Sequence, residues 1–324
     1  MTLTLNELFS SPDHYLHSFD AGDAIFVPMD RAAYQRSIFL DNRISPADDG
    51  SMRLPLAAIT RDIPPPQSTS WIFHIAHCGS TLLARALDFL GGNLVLREPL
   101  ALRQLALAPD PTRLALTTAM LGKRYRPESA TLIKANVPVN FLLPALAQHS
   151  VAPMRAIMLF ATLEDYLLAI LRSDNHRDWV KRITSQLDAH LGNLGELSVA
   201  ERAAALWHGQ MKAFESALAA SPNARTLDAE SFFNDPLPTL TAGARHLEID
   251  ATTETLREVV SGPLFSSYSK QPSVPFDNEA RLARRDALVA TLAPEIAAAR
   301  AWVEQATQRD AHVPAAIIDA QLRI

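Results

Sequence analysis

The sequence predicts an α/β fold of three layers, a parallel sheet of about five strands with helices on both faces. Three observations carry this. Apolar runs of strand length recur at 71–76, 93–96, 130–135, 155–160 and 224–227. Between them lie stretches whose apolar residues return at helical spacing. Strands that alternate with helices reach their neighbours by crossovers, so they pair in parallel and both sheet faces need cover.

Taken in order, residues 1–70 have a broken texture. Short apolar pieces at 24–27 and 37–40 alternate with Asp, Asn, Gly and Pro, and Pro64-Pro65-Pro66 makes a stiff boundary. We read 1–70 as a small α/β or hairpin extension packed on a main domain spanning 71–324. Trp71 to Ala76 forms the first strand of that domain, and His77-Cys78-Gly79-Ser80-Thr81 the turn after it. Leu82, Leu83, Ala86, Leu87 and Leu90 then mark a helix, which Gly91-Gly92 ends with residues free to take positive φ. Asn93 to Leu96 is the second strand and finishes on Arg97-Glu98-Pro99. Helices are expected near 99–109, 112–124, 138–149, 163–172 and 174–191, and an amphipathic helix at 198–221 shows Leu206, Trp207, Met211 and Phe214 on one face. The strand at 224–227 leads into a helical region beginning near Asp228. A tail helix over 277–308, rich in Ala and Arg, meets a potential break at Pro294.

The chain has 324 residues, of which 48% are hydrophobic and 20% charged, enough for a large core. A formal charge of −5 offers no general surface for polyanions, so nucleic acid is not an expected partner and any bound anion needs a local pocket. The single cysteine, Cys78, cannot form an internal disulfide, which fits a reducing compartment. The N-terminus lacks the pattern of a signal peptide, and no run approaches the roughly 18 apolar residues of a membrane span. A cytoplasmic protein without membrane attachment is expected.

The 71–98 unit brings backbone N–H groups, two hydroxyls and a helix N-terminus to one point, which is an anion site by construction. Gly79, Ser80 and Thr81 are its core. Three chemistries use such a loop. Nucleotide triphosphatases require Gly-x4-Gly-Lys-[Ser/Thr], but Ser80 stands in place of the lysine that reaches the terminal phosphates. Cysteine phosphatases share a His-Cys opening like His77-Cys78 but need an arginine six positions after the cysteine. Position 84 is Ala, and Arg85 points about 100° away around the helix. Cys78 reads as a small buried residue, with the phosphatase kept as a third alternative.

The third chemistry rests on a resemblance. Gly79-Ser80-Thr81-Leu82-Leu83 resembles the 5′-phosphosulfate loop of the sulfotransferases that use 3′-phosphoadenosine-5′-phosphosulfate (PAPS), with Cys78 in the place of a Ser and His77 in that of the Lys or Arg. Thr131-Leu-Ile-Lys134-Ala-Asn-Val-Pro138 resembles the family's Lys-Thr-His-Leu-Pro segment, and residues 224–247 its closing strand and Glu-Asp-Leu segment. The likeness covers roughly 71–280 and implies a divergent, bacterial-type member with a P-loop-like, sulfotransferase-like fold. It further implies PAPS as co-substrate, no metal, and a hydroxyl or amine of a small-molecule or peptide acceptor. His77, Cys78, Gly79, Ser80, Thr81 and Leu82 would hold the 5′-phosphate end, and His77 and Lys134 would steady the transferring group. Glu98, at the carboxyl edge of the sheet, would take the acceptor's proton, as the Glu of a Glu-Pro pair does in several carbohydrate sulfotransferases.

Two departures stand out. Where the family places an Arg and a Ser on the 3′-phosphate, this chain has Ala161 and Ala169. Another cation (Arg155, Arg172, Lys270 or Arg281) would have to serve, or the nucleotide differs, or the chain binds a nucleotide or phosphate without turnover. Lys270 lies in the polar segment Tyr268-Ser-Lys-Gln-Pro, where the family keeps a nucleotide-closing loop.

Overall fold

Ten strands occur among the residues described by the computed structural model, which are 3–88, 92–129, 131–308 and 310–324. The first three, β1 (His14–Asp20), β2 (Asp23–Pro28) and β3 (Met52–Pro55), form an antiparallel sheet in the order β1-β2-β3. The next five, β4 (Thr69–His74), β5 (Leu94–Arg97), β6 (Thr131–Lys134), β7 (Arg155–Phe160) and β8 (Ala224–Asp228), form an all-parallel sheet in the order β5-β6-β4-β7-β8. A short hairpin, β9 (Ser267–Tyr268) and β10 (Gln271–Pro275), completes the set.

The five-stranded sheet is buried as a parallel sheet must be. Every residue of β5 and β6 is buried, as is all of β4 and β7 beyond the first residue, because helices cover both faces. Trp71, Phe73, Ile133, Ile157 and Leu159 belong to one continuous apolar core, which also takes in Leu8, Tyr15, Phe26 and Tyr34 from the first 60 residues. The exposed flank of β8 is closed by the C-terminal tail: Thr226 N–H donates to Ala320 O at 3.0 Å, and Leu322 N–H to Thr226 O at 2.8 Å.

The helices that position the site are α1 (Ser80–Asp88), α2 (Leu163–Ile170), α3 (Asp174–Gln186), α4 (Val199–Ala220), α5 (Ala229–Asn234) and α6 (Asn278–Thr307). Ser198 caps α4 in a reciprocal box with Glu201. α6 runs unbroken through Pro294, correcting the expected break. Leu292 and Ile296 are buried on either side of the proline, and Ala299 and Val303 continue the buried stripe, so packing outweighs one lost backbone hydrogen bond.

The first strand ends two residues earlier than expected. Ile75 and Ala76 are buried, as their apolar character predicts, but they belong to the turn. Leu90, Gly91 and Ala130 lie outside the described residues; Gly92 is a turn residue. The stretch 138–149 divides into a 3-10 turn (Val137–Leu142) and a short helix (Leu143–Gln148).

Candidate functional site

The chain leaves β4 and turns into α1 through residues 75–79, and three of these take left-handed backbone: Ala76 (φ 76), His77 (φ 51) and Gly79 (φ 79). Gly79 is required twice over. A Cβ there would be strained by φ and would stand 2.9 Å from Phe233 Cζ. Ala76 and His77 adopt the same region without glycine's freedom, a local cost that recurs at ligand-binding turns. The turn opens onto the N-terminus of α1, where Ser80 and Thr81 are buried and Thr81 Oγ1 has no hydrogen-bond partner among the described residues.

Above the turn lies a cavity of about 520 Å³, lined by residues 76–82, by Ala161 and Ala169, and by α2, α5, the hairpin turn and α6. Its charged lining comprises Arg172, Lys270, Arg281, Arg284 and Arg285 against Asp165 and Glu230. Both carboxylates are taken: Arg281 forks onto Glu230 at 2.8 and 2.7 Å, and Arg285 pairs with Asp165 at 2.6 Å. Arg284 leans on the Tyr268 hydroxyl. Arg172 and Lys270 have neither hydrogen bond nor ion pair among the described residues. A chain of net negative charge therefore presents a locally cationic pocket around an open helix N-terminus, with an orphaned hydroxyl beside it. That combination fits a ligand carrying more than one negative charge. Phe233, Tyr268 and Phe276 supply an aromatic wall.

The carboxyl ends of three neighbouring strands supply a second group. His74 ends β4, Lys134 ends β6, and Glu98 follows β5, so the three stand in one row across the sheet edge. Lys134 is fully buried and pairs with Glu98 Oε1. Glu98 has left-handed backbone (φ 56), and its N–H donates to Lys134 O at 2.7 Å. Burial pushes the Glu98 carboxyl up, but Lys134, Lys270 and Arg43 together outweigh it and hold the group below the usual carboxylate value. Lys270 is pushed down by burial and partly pulled back by Glu98. The charge on the hairpin turn, which lines the cavity, is thus felt at the sheet-edge row. Phe39 and Arg43, from the N-terminal segment, stack at 3.9 Å beside this row, and Leu40 N–H donates to Arg97 O at 2.7 Å.

His77 is half-buried against His176 (ring centroids 4.3 Å apart) and Trp179. Burial drives its imidazole well below the ordinary value, assisted by Lys270, His176 and Arg172, so the ring is neutral at physiological pH. Burial raises the Cys78 thiol, the opposite of what a nucleophile needs. Arg97 turns away from Glu98 and pairs with Asp88.

The structure brings together His77, Cys78, Gly79, Ser80, Thr81, Leu82, Arg172, Lys270 and Arg281 around the cavity. Glu98 and Lys134 do not line it; they pair with each other at the sheet edge, and their charges are felt by Lys270 on the cavity wall. Arg155 is elsewhere. It opens β7 at the amino edge of the sheet, where it donates to His246 O at 3.1 Å and pairs with Glu248. Arg281 lines the cavity but is committed to Glu230. The sequence pattern does not single out His74, Phe233 or Arg284; His74 is masked by the apolar run around it. Among the described residues, no group of three or more His, Cys, Asp or Glu side chains is placed to hold a metal ion. No described helix is long and apolar enough to cross a membrane.

No family model and no curated protein matches the chain. Among solved structures, a sulfotransferase from Alicyclobacillus acidocaldarius is similar over 75% of this chain and 97% of its own, with 14% identity and a TM-score of 0.37.

Proposed function

We propose that the protein is a sulfotransferase that moves the sulfuryl group of PAPS to a hydroxyl or amine of a small-molecule or peptide acceptor. The observation that carries this reading is the left-handed turn before α1, opening with an unpartnered Thr81 hydroxyl into a pocket of surplus cations. The main-chain N–H groups of Gly79, Ser80 and Thr81 bind the 5′-phosphate end. Arg172, Lys270 and Arg284 are the cations available to a second phosphate, in place of the side chains that Ala161 and Ala169 lack. Glu98 takes the acceptor's proton, and its lowered basicity keeps it ionised and ready. Once Glu98 is protonated, Lys134 loses its counter-charge and turns to the charge developing on the transferring group. His77, being neutral, contributes a ring N–H and not a full charge.

Ala161 and Ala169 favour a second reading, a nucleotide- or phosphate-binding protein on the same scaffold without turnover. Isothermal titration with adenosine 3′,5′-bisphosphate, ATP and inorganic phosphate separates the two. Preference for the bisphosphate supports PAPS as donor, and indifference to its 3′-phosphate supports the second reading. If none of the three binds, both readings are lost.

A further inference from the structure

His74 stands at the junction of the two halves of the site. Its ring is buried, and both nitrogens are engaged. Ala76 N–H donates to Nδ1 at 3.0 Å, and Nε2 lies 2.9 Å from the carbonyl of Ala135, the residue after β6. Lys134 Nζ is 3.1 Å from the same Nε2, and Glu98 Oε1 is 3.9 Å from it. The backbone of His74 is also held, since Asn140 Nδ2 donates to its carbonyl at 3.0 Å while donating to Gln210 at 2.8 Å.

Two donors and one acceptor face the two ring nitrogens. A neutral ring protonated at Nε2 satisfies Ala76 N–H and Ala135 O at once. The other tautomer would aim a proton at the Ala76 N–H and leave a buried carbonyl without its donor, which is expensive. Lys134, unable to donate to a protonated Nε2, is left with Glu98 as its partner. Burial and the charges of Lys134 and Lys270 disfavour a positive ring.

We propose that His74 is the positioning residue of the site: it locks the left-handed turn at Ala76 to the end of β6 and, by occupying one side of the Lys134 ammonium, directs that lysine onto Glu98. The anion loop and the sheet-edge row are thereby held in one register. The catalytic consequence rests on the sulfotransferase reading, but the lock itself does not.

The experiment compares the wild type with His74→Leu, His74→Asn and His74→Gln, with thermal melting to establish that each is folded. Nitrogen-15 spectra of the wild-type ring at neutral pH should show Nδ1 bare and Nε2 protonated. Exchange of the Ala76 amide should be about tenfold or more faster in His74→Leu, as expected when its acceptor is lost. His74→Asn, whose Oδ1 falls near the position of Nδ1, should restore protection, whereas His74→Gln, which reaches only the Nε2 position, should not. Affinity for adenosine 3′,5′-bisphosphate should follow the same order. A ring protonated at Nδ1, or Ala76 exchange unchanged in His74→Leu, overturns the proposal, as does failure of Asn to rescue. If the wild type does not bind the bisphosphate, the sulfotransferase reading fails while the spectra and exchange still judge the lock.

Discussion

Glu98 shows how far one side chain's chemistry depends on its neighbours. Burial alone would make it a stronger base, and the adjacent ammonium groups make it a weaker one; the cations prevail. Replacing Lys134 with Met should let burial win and raise the Glu98 pKa. A base is active when deprotonated, so the acid limb of the rate profile should move to higher pH in that variant. Carbon-13 titration of the Glu98 carboxyl reads the change without an acceptor, and an unchanged midpoint would refute the electrostatic account. Glu98→Gln should bind adenosine 3′,5′-bisphosphate while losing sulfuryl transfer; retention of full transfer would remove Glu98 as the base. Cys78→Ser, by contrast, should leave bisphosphate affinity within about threefold, since burial raises the thiol and keeps it neutral, with no charge to exchange for the hydroxyl's.

At the scale of the element, the strand–turn–helix unit was legible because its apolar runs change period within a few residues, from a buried strand to a helical stripe. Its details were less so. Alanine carries no mark of left-handed backbone, so Ala76 read as strand when it is turn. A histidine inside an apolar run gives no sign of joining two elements, which hid His74. Arg155 could have been placed: it begins a strand, and in a parallel sheet strand beginnings and ligand-binding ends lie on opposite edges. Pairing was the harder matter, because nothing in local sequence tells Arg281 that its partner is Glu230, 51 residues away. The turn's own requirement is testable. Gly79→Ala forces a left-handed alanine, at about 1–2 kcal/mol, and drives Cβ onto Phe233. Adding Phe233→Leu removes the clash and leaves the backbone cost. The double variant should therefore recover part of the lost bisphosphate affinity, measured by titration calorimetry; no recovery would mean that Phe233 is not what Gly79 makes room for.

At the scale of the molecule, the first 60 residues are tied to the parallel sheet by buried charges. Arg97 pairs with Asp88 and donates to Ser37 O at 2.7 Å, and Arg31 reaches Asp88 at 3.2 Å. Since this same segment carries Phe39 and Arg43 to the side of Glu98, its attachment bears on the site as well as on stability. Lys123 makes the linkage measurable. Its Nζ is buried and donates to Leu8 O at 3.1 Å and to His14 O, with no carboxylate as a direct partner, and burial lowers its pKa to about 7. In the unfolded chain the same group titrates near 10.4. Between these values the unfolded state binds the extra proton, so stability must rise with pH from about 7 towards 10 and bear its full penalty below 7. The gap between the two values corresponds to a few kcal/mol, on the order of 1.4 kcal/mol for each pH unit crossed. Lys123→Met removes the titration but also leaves two carbonyls without their donor, so its absolute stability is a poor guide. The informative quantity is the slope: urea unfolding of the wild type should show stability climbing relative to the variant across pH 7–10. Parallel pH profiles would mean that Lys123 keeps its proton in the fold and that the N-terminal segment is held by a charged contact.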